Sequence, residues 1–261
     1  MSLRTLVRWS VLVAIGSATP LHAQQLAERV AAIGDGMANF HFTGRPGVCG
    51  DGARFIRVGR HSYMGSVSND MRYEQCVPGP MQVRVTVRSG NVERVETWVG
   101  SLRTREGRDL GAVPAPEAAR YLMSIAARGS SYASSKAILP AVLADSAVVW
   151  PTLLTIASDT EGRSRSTRND AMFWLSRYAA AATSGHANNP IDEDDDDDSD
   201  GEDLKGHAVF VMSQLPHGEG VQSLLDVART NKDAHVRGKA LFWLGQSGDP
   251  RALRLFESIL K

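Results

Sequence analysis

Four similar segments recur along the second half of this chain. They read Ala137-Ile-Leu-Pro, Ala171-Met-Phe-Trp-Leu-Ser, Ala208-Val-Phe-Val-Met-Ser and Ala240-Leu-Phe-Trp-Leu-Gly, and their first alanines lie 34, 37 and 32 residues apart. A period in the thirties is typical of a helical repeat array, in which each unit buries its apolar face against its neighbours. Such arrays usually form extended binding surfaces. The repeat therefore predicts a helical architecture and favours binding over catalysis.

A second, shorter pattern precedes three of these segments. It reads Leu122-Met-Ser-Ile-Ala126, Leu153-Leu-Thr-Ile-Ala157 and Leu224-Leu-Asp-Val-Ala228. The two patterns together predict a unit of two helices joined by a short polar turn, such as residues 158–162 or 229–233. Because one amphipathic helix cannot bury its own apolar stripe, we expect neighbouring units to pack together.

The clearest unit covers residues 233–250 and reads Asp-Ala-His-Val-Arg-Gly-Lys-Ala-Leu-Phe-Trp-Leu-Gly-Gln-Ser-Gly-Asp-Pro. It has an acid in the turn, Val-Arg at the start of the second helix, then Ala, Leu and Gly, and Asp-Pro at the start of the next unit. This pattern resembles a HEAT repeat of the PBS lyase HEAT-like type, and the resemblance extends over residues 116–261. It implies an α-solenoid of helix pairs in a bacterial exported protein.

The resemblance also implies roles for four charged residues. In HEAT repeats, a basic residue three positions before the starting alanine commonly pairs with turn carboxylates. Carried over to this chain, Arg168 with Asp159 and Arg237 with Asp233 would form a structural ladder along the repeats. The resemblance implies no catalytic residue.

The first 23 residues have the form of an export signal. Arg4 and Arg8 precede an apolar stretch from Trp9 to Ala18, which is too short to span a membrane as a helix. We expect cleavage near Ala23-Gln24; an uncleaved anchor or an ordinary first helix are the alternatives. No later segment reaches 18 apolar residues, so we expect no integral membrane span and a periplasmic or secreted location.

The two cysteines, Cys49 and Cys76, lie 27 residues apart in the N-terminal part. In an oxidising compartment an even pair is most simply a disulfide. Closing a loop of this length stabilises the fold by about 3 kcal/mol in the chain-entropy model. The alternatives are a free thiol or a metal site that would also need His41 and His61.

Residues 24–115 predict a small β-rich module. Helical spacing predicts a helix over residues 24–40, and strict alternation predicts a hairpin of residues 81–88 and 95–99 around the turn at residues 89–91. A further strand is predicted over residues 53–58. The arginines of this region are expected on a solvated face: Arg84, Arg88, Arg94 and Arg103.

An acidic run covers residues 192–203, in which ten of twelve residues are Asp or Glu. Such a run repels itself, so we expect a disordered acidic insert over residues 183–203, at the position where one helix of the repeat is missing. Without the signal and this run, 27 basic residues remain against 19 acidic ones. Asp196, Asp198 and Asp200 match half of a calcium loop, which indicates at most a weak cation site.

Sequence motifs for catalysis are scarce. The chain has no Gly-x-Ser-x-Gly, no phosphate loop, no His-Glu-x-x-His and no dinucleotide fingerprint. We therefore expect no cofactor, no metal and no nucleic acid.

The sequence thus predicts a mainly α protein, with a short HEAT-type α-solenoid at 116–261 that follows the β-rich module at 24–115. Its expected function is protein–protein interaction or scaffolding in the periplasm or cell envelope. The expected partner is an unidentified protein, and peripheral association with the envelope is compatible with the sequence. The alternative is a small-molecule-binding or enzymatic role, for example lyase-like, in the N-terminal module, with the solenoid as its docking arm.

Overall fold

The structure of the protein, a computed structural model, describes residues 21–52, 55–58, 61–64, 76–101, 106–129, 131–183, 190, 204–215 and 218–261. Its strands are β1 (Gly36–Phe42), β2 (Val48–Gly50), β3 (Ile56–Val58), β4 (His61–Met64), β5 (Val77–Pro78), β6 (Met81–Arg88), β7 (Asn91–Val99) and β8 (Arg108–Ala112). Its helices are α1 (Leu21–Ala31), α2 (Ala115–Arg128), α3 (Ser131–Val142), α4 (Trp150–Ser158), α5 (Arg165–Thr183), α6 (Leu204–Ser213), α7 (Glu219–Thr230), α8 (Ala234–Ser247) and α9 (Pro250–Leu260). The protein is therefore mainly α, with a β-rich module at its N-terminal end.

The described strands form two small sheets. The first has the order β7-β6-β1-β8 and the second the order β4-β3-β2-β5. The predicted hairpin is confirmed as β6 and β7, which pair antiparallel. Its turn residues Ser89 and Gly90 have φ values of 49° and 74°. Left-handed backbone at both central positions suits a two-residue hairpin turn, because its twist matches that of the strands.

The N-terminal helix ends earlier than its spacing predicts. A helix was expected over residues 24–40, but α1 ends at Ala31 and Met37 already lies in β1. Gly34 has a φ of 67° and Gly36 a φ of 150°. A right-handed helix does not continue through such backbone angles, so these glycines turn the chain from α1 into the sheet.

The predicted signal peptide meets the described structure only at its end. Residues 1–20 lie outside the described residues, and the predicted cleavage point between Ala23 and Gln24 falls within α1. The Leu26 amide then donates a 3.0 Å hydrogen bond to the buried carboxylate of Glu117, which docks α1 on α2. No described helix is long and apolar enough to cross a membrane.

Cys49 and Cys76 form a disulfide. Cys49 lies in β2 and Cys76 immediately precedes β5, and these two strands pair antiparallel in the second sheet. The disulfide therefore holds together the smaller of the two sheets, whose strands are only two to four residues long. Strands this short form a weak sheet by themselves, so a covalent link is needed most there.

Arg45 joins the β-rich module to the helices. Its Nε donates to the Val142 carbonyl and its Nη2 to the Ala147 carbonyl, each at 2.7 Å, and Nη2 also lies 3.4 Å from the Tyr178 hydroxyl. Backbone bonds reinforce this joint, because the Arg45 amide donates to the Leu143 carbonyl at 2.8 Å. Burial raises the pKa of the Tyr178 phenol, and the nearby Arg45 charge lowers it by less.

The two-helix units lie where the sequence predicts them. α2 with α3, α4 with α5, and α7 with α8 are consecutive pairs, and α9 follows as the end helix. α6 follows α5 in the described chain, and the acidic run lies between them, outside the described residues. In a regular solenoid, successive units also stack in one constant direction. The regular solenoid stays a prediction.

The units do not stack in chain order. Aromatic contacts connect α5 to α8 through Phe173 and Phe242, and α8 to α6 through Trp243 and Phe210, with ring centroids 6.2 Å and 5.2 Å apart. α8 therefore lies between α5 and α6. The start of α8 contacts the end of α5, because Arg237 donates to the Thr183 carbonyl at 2.9 Å.

α5 and α8 run antiparallel at very short range. Near the end of α8, a Cβ on Gly245 would lie 2.7 Å from the Ser176 Cβ and 3.1 Å from the Met172 carbonyl oxygen. These atoms belong to the middle of α5, so the two helices approach through a glycine opposite a serine. α5 and α8 are the second helices of their units. If the units were related by simple translation these two helices would be parallel, but α8 runs antiparallel to α5.

Replacing Arg45 with Met should lower the free energy of unfolding by about 3 kcal/mol, because buried carbonyls of the α3–α4 connection lose their donor. The measurement is equilibrium urea unfolding of the Arg45→Met variant. Arg229→Met on the exposed face of α7 is the matched control and should change stability by no more than about 0.5 kcal/mol. Equal stability of the two variants would show that Arg45 does not hold the module to the helices.

Gly245→Ala should destabilise the protein by about 1 kcal/mol, because overpacking at Ser176 outweighs the better helix propensity of alanine. Gln246→Ala, at the exposed neighbouring position, is the control and should be nearly neutral. The double variant Gly245→Ser with Ser176→Gly restores one small residue at the contact, so thermal unfolding should show it to be more stable than Gly245→Ser alone. If the second substitution gave no rescue, the close approach of α5 and α8 would be wrong.

Candidate functional site: a cleft beside strand β7

The described structure has a cleft of about 430 Å³ between β7 and the helices α3 and α5. One residue of α8, Gln246, also lines it. A volume of this size is within the usual range for ligand-binding clefts. The residues that line this β7 cleft are Val95, Thr97, Ser135, Lys136, Ile138, Leu139, Asn169, Asp170, Phe173, Trp174 and Gln246.

A polar cluster occupies the helical wall of the β7 cleft. Ser135 on α3 donates a hydrogen bond from its hydroxyl to Oδ2 of Asp170 on α5. Burial raises the pKa of the Asp170 carboxyl, while this hydrogen bond and the charge of Lys136 lower it by less. Asp170 is therefore a carboxylate that loses solvation when the chain folds and regains only part of it from its neighbours.

The strand wall contributes Val95 and Thr97, which lie on the same face of β7 because side chains alternate along a strand. Both are buried. Thr97 Oγ1 has no hydrogen-bond partner within the described residues. A buried hydroxyl without a partner costs free energy, so the strand wall is not optimised for stability alone.

Two aromatic residues line the β7 cleft, and their ring contacts continue to other helices. Phe173 and Trp174 are in edge contact at 5.1 Å, and Phe242 and Trp243 repeat the same contact at 5.1 Å. The repeated Phe-Trp of the sequence thus becomes one aromatic row across α5 and α8, and Phe210 of α6 extends it. Trp174 is buried, so its main role is packing between helices.

β7 is an edge strand among the described strands, since β6 is its neighbour in the sheet order. Its last residues approach the second sheet, because a Cβ on Gly50 would lie 2.9 Å from the Val99 Cβ. Among the described residues no strand pairs with the outer side of residues 91–97, the open stretch of this edge. An edge strand has backbone donors and acceptors that can pair with another chain, and Glu93, Arg94 and Glu96 place exposed charges along this one.

The first pair of predicted ladder residues lies around the turn between α4 and α5, with Arg168 in the first turn of α5. Arg168 donates from Nη1 to the carbonyls of Thr160 at 2.9 Å and Arg163 at 3.0 Å. Asp159 lies in the same turn, where it pairs with Arg163 at 3.3 Å and accepts from the Gly162 amide. The structure thus gives Arg168 backbone carbonyls as partners and Asp159 a different arginine.

The second predicted pair has the equivalent arrangement between α7 and α8. Arg237 donates to the carbonyls of Asn231 at 2.9 Å and Lys232 at 3.1 Å, besides Thr183 of α5. Asp233 is the N-cap of α8, which satisfies a free amide at the helix start. Both arginines therefore close the turn of their own unit, and Arg237 also reaches a second unit.

The weak cation site predicted at Asp196, Asp198 and Asp200 lies outside the described residues. Within the described part of the chain, no three His, Cys, Asp or Glu side chains are grouped closely enough to hold a metal ion.

Sequence reasoning missed the β7 cleft. Ser135 and Asp170 are 35 residues apart and belong to no motif, although each lies one or two residues before the alanine that starts its repeat segment. The expectation that Arg84 is solvated was also wrong. It is buried, its Nε donates to Asn39 Oδ1 at 2.8 Å, and its guanidinium lies 5.7 Å from the ring centroid of Trp98.

Comparison with known proteins found no matching family model, no matching curated protein and no matching solved structure. The fold and the β7 cleft therefore carry the functional argument.

Asp170→Asn should stabilise the protein at neutral pH, because the amide keeps an acceptor for Ser135 without a buried charge. An acid whose folded pKa is raised binds its proton more tightly in the folded state, so wild-type stability falls as pH rises above the unfolded pKa of about 3.9. The gain from Asp170→Asn should thus disappear below about pH 4. Urea unfolding at several pH values measures it, with Asp226→Asn on the exposed face of α7 as the control. A destabilised Asp170→Asn at neutral pH would mean that Lys136 outweighs burial.

Proposed function

We propose that this protein is an exported protein–protein interaction protein that binds an extended polypeptide segment along the open edge of β7. The added segment would continue the first sheet by backbone hydrogen bonds, and its alternate side chains would enter the β7 cleft. This mode of recognition is known as β-strand addition. The single observation that carries the proposal is the position of the cleft, which borders the open stretch of an edge strand.

The alternation of β7 supports this reading. Val95 and Thr97 line the cleft two residues apart, and a neighbouring strand would place its own side chains with the same period of two. A bound segment would therefore insert every second residue between β7 and α5. Phe173 supplies an apolar contact for such a residue, and Asn169, Lys136 and Asp170 supply polar ones.

The energetics of the helical wall also support binding. Asp170 ionises at a cost to folding, and Thr97 keeps a hydroxyl without a hydrogen-bond partner among the described residues. Features that cost stability are common at binding sites, where a ligand supplies the missing interactions. The backbone amides or polar side chains of a bound segment would supply them here.

The disulfide between Cys49 and Cys76 supports an exported location, because such bonds persist in oxidising compartments. Helices α3 and α5 form the second wall of the site, which agrees with the binding surface that a helical repeat predicts. The β-rich module then supplies the edge strand, and the helices supply the side-chain cleft. The two parts of the chain act as one binding unit.

A peptide with the chain's own β6 sequence, Met81–Arg88, is a suitable probe, since it alternates, is soluble through its arginines and already pairs with β7 on the other side. We expect fluorescence anisotropy to detect binding of the labelled peptide. In a strand, every second backbone amide of the peptide would face β7. N-methylation of these amides should weaken binding about tenfold or more, because it removes their hydrogen bonds to β7. N-methylation of the other amides should have little effect, since those amides would face solvent.

Hydrogen exchange gives the second measurement for this peptide, with protection expected at the amides of residues 91–97. Asn169→Trp should fill the β7 cleft and abolish binding, whereas Arg229→Trp on α7 should not. Strand addition would be ruled out if the two N-methylated peptides bound equally well. It would also be ruled out if the peptide bound without slowing hydrogen exchange at the β7 amides.

A further inference from the structure

A second concave site lies against α2, the first helix of the first pair. It is a groove of about 580 Å³ between α2, the turn before α4 and the start of α4. We call it the arginine groove, after its two charged residues. Its lining residues are Pro116, Ala119, Arg120, Met123, Ser124, Ala127, Arg128, Ser146, Ala147, Val148, Val149 and Thr152.

Among the described residues that line the arginine groove, Arg120 and Arg128 are the only charged ones. Arg120, Ser124 and Arg128 recur every four residues, so they form one polar stripe along α2, with the two arginines about 12 Å apart along the helix axis. Both arginines are exposed. Within the described residues neither forms an ion pair or hydrogen bond, and no carboxylate lines the groove.

The rest of the arginine groove is predominantly apolar. Ala119, Met123 and Ala127 form a second stripe on α2, beside the arginines, and Ala147 with Val149 forms the opposite wall. Val148 also lines the groove and is 56% exposed, so it adds apolar surface that a ligand could cover. The groove thus combines an apolar floor with positive charge along one side.

We infer that the arginine groove binds a single-chain anionic amphiphile, such as a long-chain fatty acid. Its apolar chain would lie along Met123 and Ala127, and its carboxylate would accept two parallel hydrogen bonds from a guanidinium. The concave shape favours one extended chain over a flat membrane surface. The absence of acidic side chains from the lining removes the repulsion that an anionic head group would otherwise meet.

This site is separate from the β7 cleft in position and in ligand chemistry. α2 and the turn before α4 build the arginine groove, whereas β7, α3 and α5 build the cleft. The inference therefore does not rest on the proposed polypeptide binding, and either one can fail alone.

Isothermal titration of the full chain with sodium dodecanoate, below its micelle concentration, tests the inference. We expect saturable binding of one dodecanoate per chain, weaker binding of the neutral monododecanoyl glycerol, and no binding of acetate. The double variant Arg120→Gln with Arg128→Gln should lower the affinity about tenfold or more, because it removes charge-assisted hydrogen bonds. The double variant Arg120→Glu with Arg128→Glu should lower the dodecanoate affinity further, because it replaces positive charge with negative charge.

Arg229→Gln on α7 is the matched control, since it removes one exposed arginine outside the groove and should leave dodecanoate affinity unchanged. Thermal unfolding of each variant should match the wild type, because these side chains are exposed. Equal affinity for dodecanoate and the neutral ester, or an unaffected double glutamine variant, would overturn the inference. So would binding only to phosphatidylcholine vesicles that contain phosphatidylglycerol, because that result would indicate a membrane surface as the ligand.

Discussion

The buried guanidinium of Arg45 is the interaction on which the rest of the architecture depends. It comes from the loop after β1 and donates to carbonyls at the end of α3 and in the turn before α4. Beside it, the chain makes a short antiparallel contact between Gly44 and Ala144, and the Asp145 amide donates to the Thr43 carbonyl at 3.0 Å. A buried arginine is tolerated there because several carbonyls share its donors. Through this joint the β-rich module and the helices share one continuous core.

Both candidate sites take their shape from this joint. The β7 cleft exists because the joint holds the first sheet against α3, so that β7 lies beside α3 and α5. The arginine groove depends on it more directly, since the Ala147 carbonyl accepts from Arg45 while Ala147 itself lines the groove. A site between two parts of a chain can be no better defined than the contact that holds those parts together.

The sequence predicted the local elements well because they follow from local periodicity. Apolar spacing located the helix pairs, strict alternation located the β6–β7 hairpin, and export chemistry predicted the disulfide. The stacking order was beyond reach, because it depends on a contact between residues far apart in the chain. α8 packs antiparallel on α5 where Gly245 meets Ser176. The two residues hold the same position in their repeat segments, but the repeat does not specify that these positions contact each other. The end of α1 was predicted wrongly for a local reason. The helical spacing of apolar residues continues past Gly34 and Gly36, but the positive φ angles of these glycines do not fit a right-handed helix.

The candidate sites were hidden from the sequence for a related reason. Ser135, Asp170 and Thr97 come from three elements, and their types are common at solvated positions, so no spacing marks them. Arg84 shows the same effect in reverse, because an alternating strand predicts a solvated outer face unless other side chains cover it. Here Asn39 and Trp98 lie beside Arg84 on that face, and the guanidinium is buried against them. Burial of a polar group is decided by what packs over it, and that information lies in the tertiary contacts. The repeat therefore specifies the helices, whereas the contacts between distant segments, above all at Arg45 and Gly245, determine how these helices pack against each other and against the first sheet.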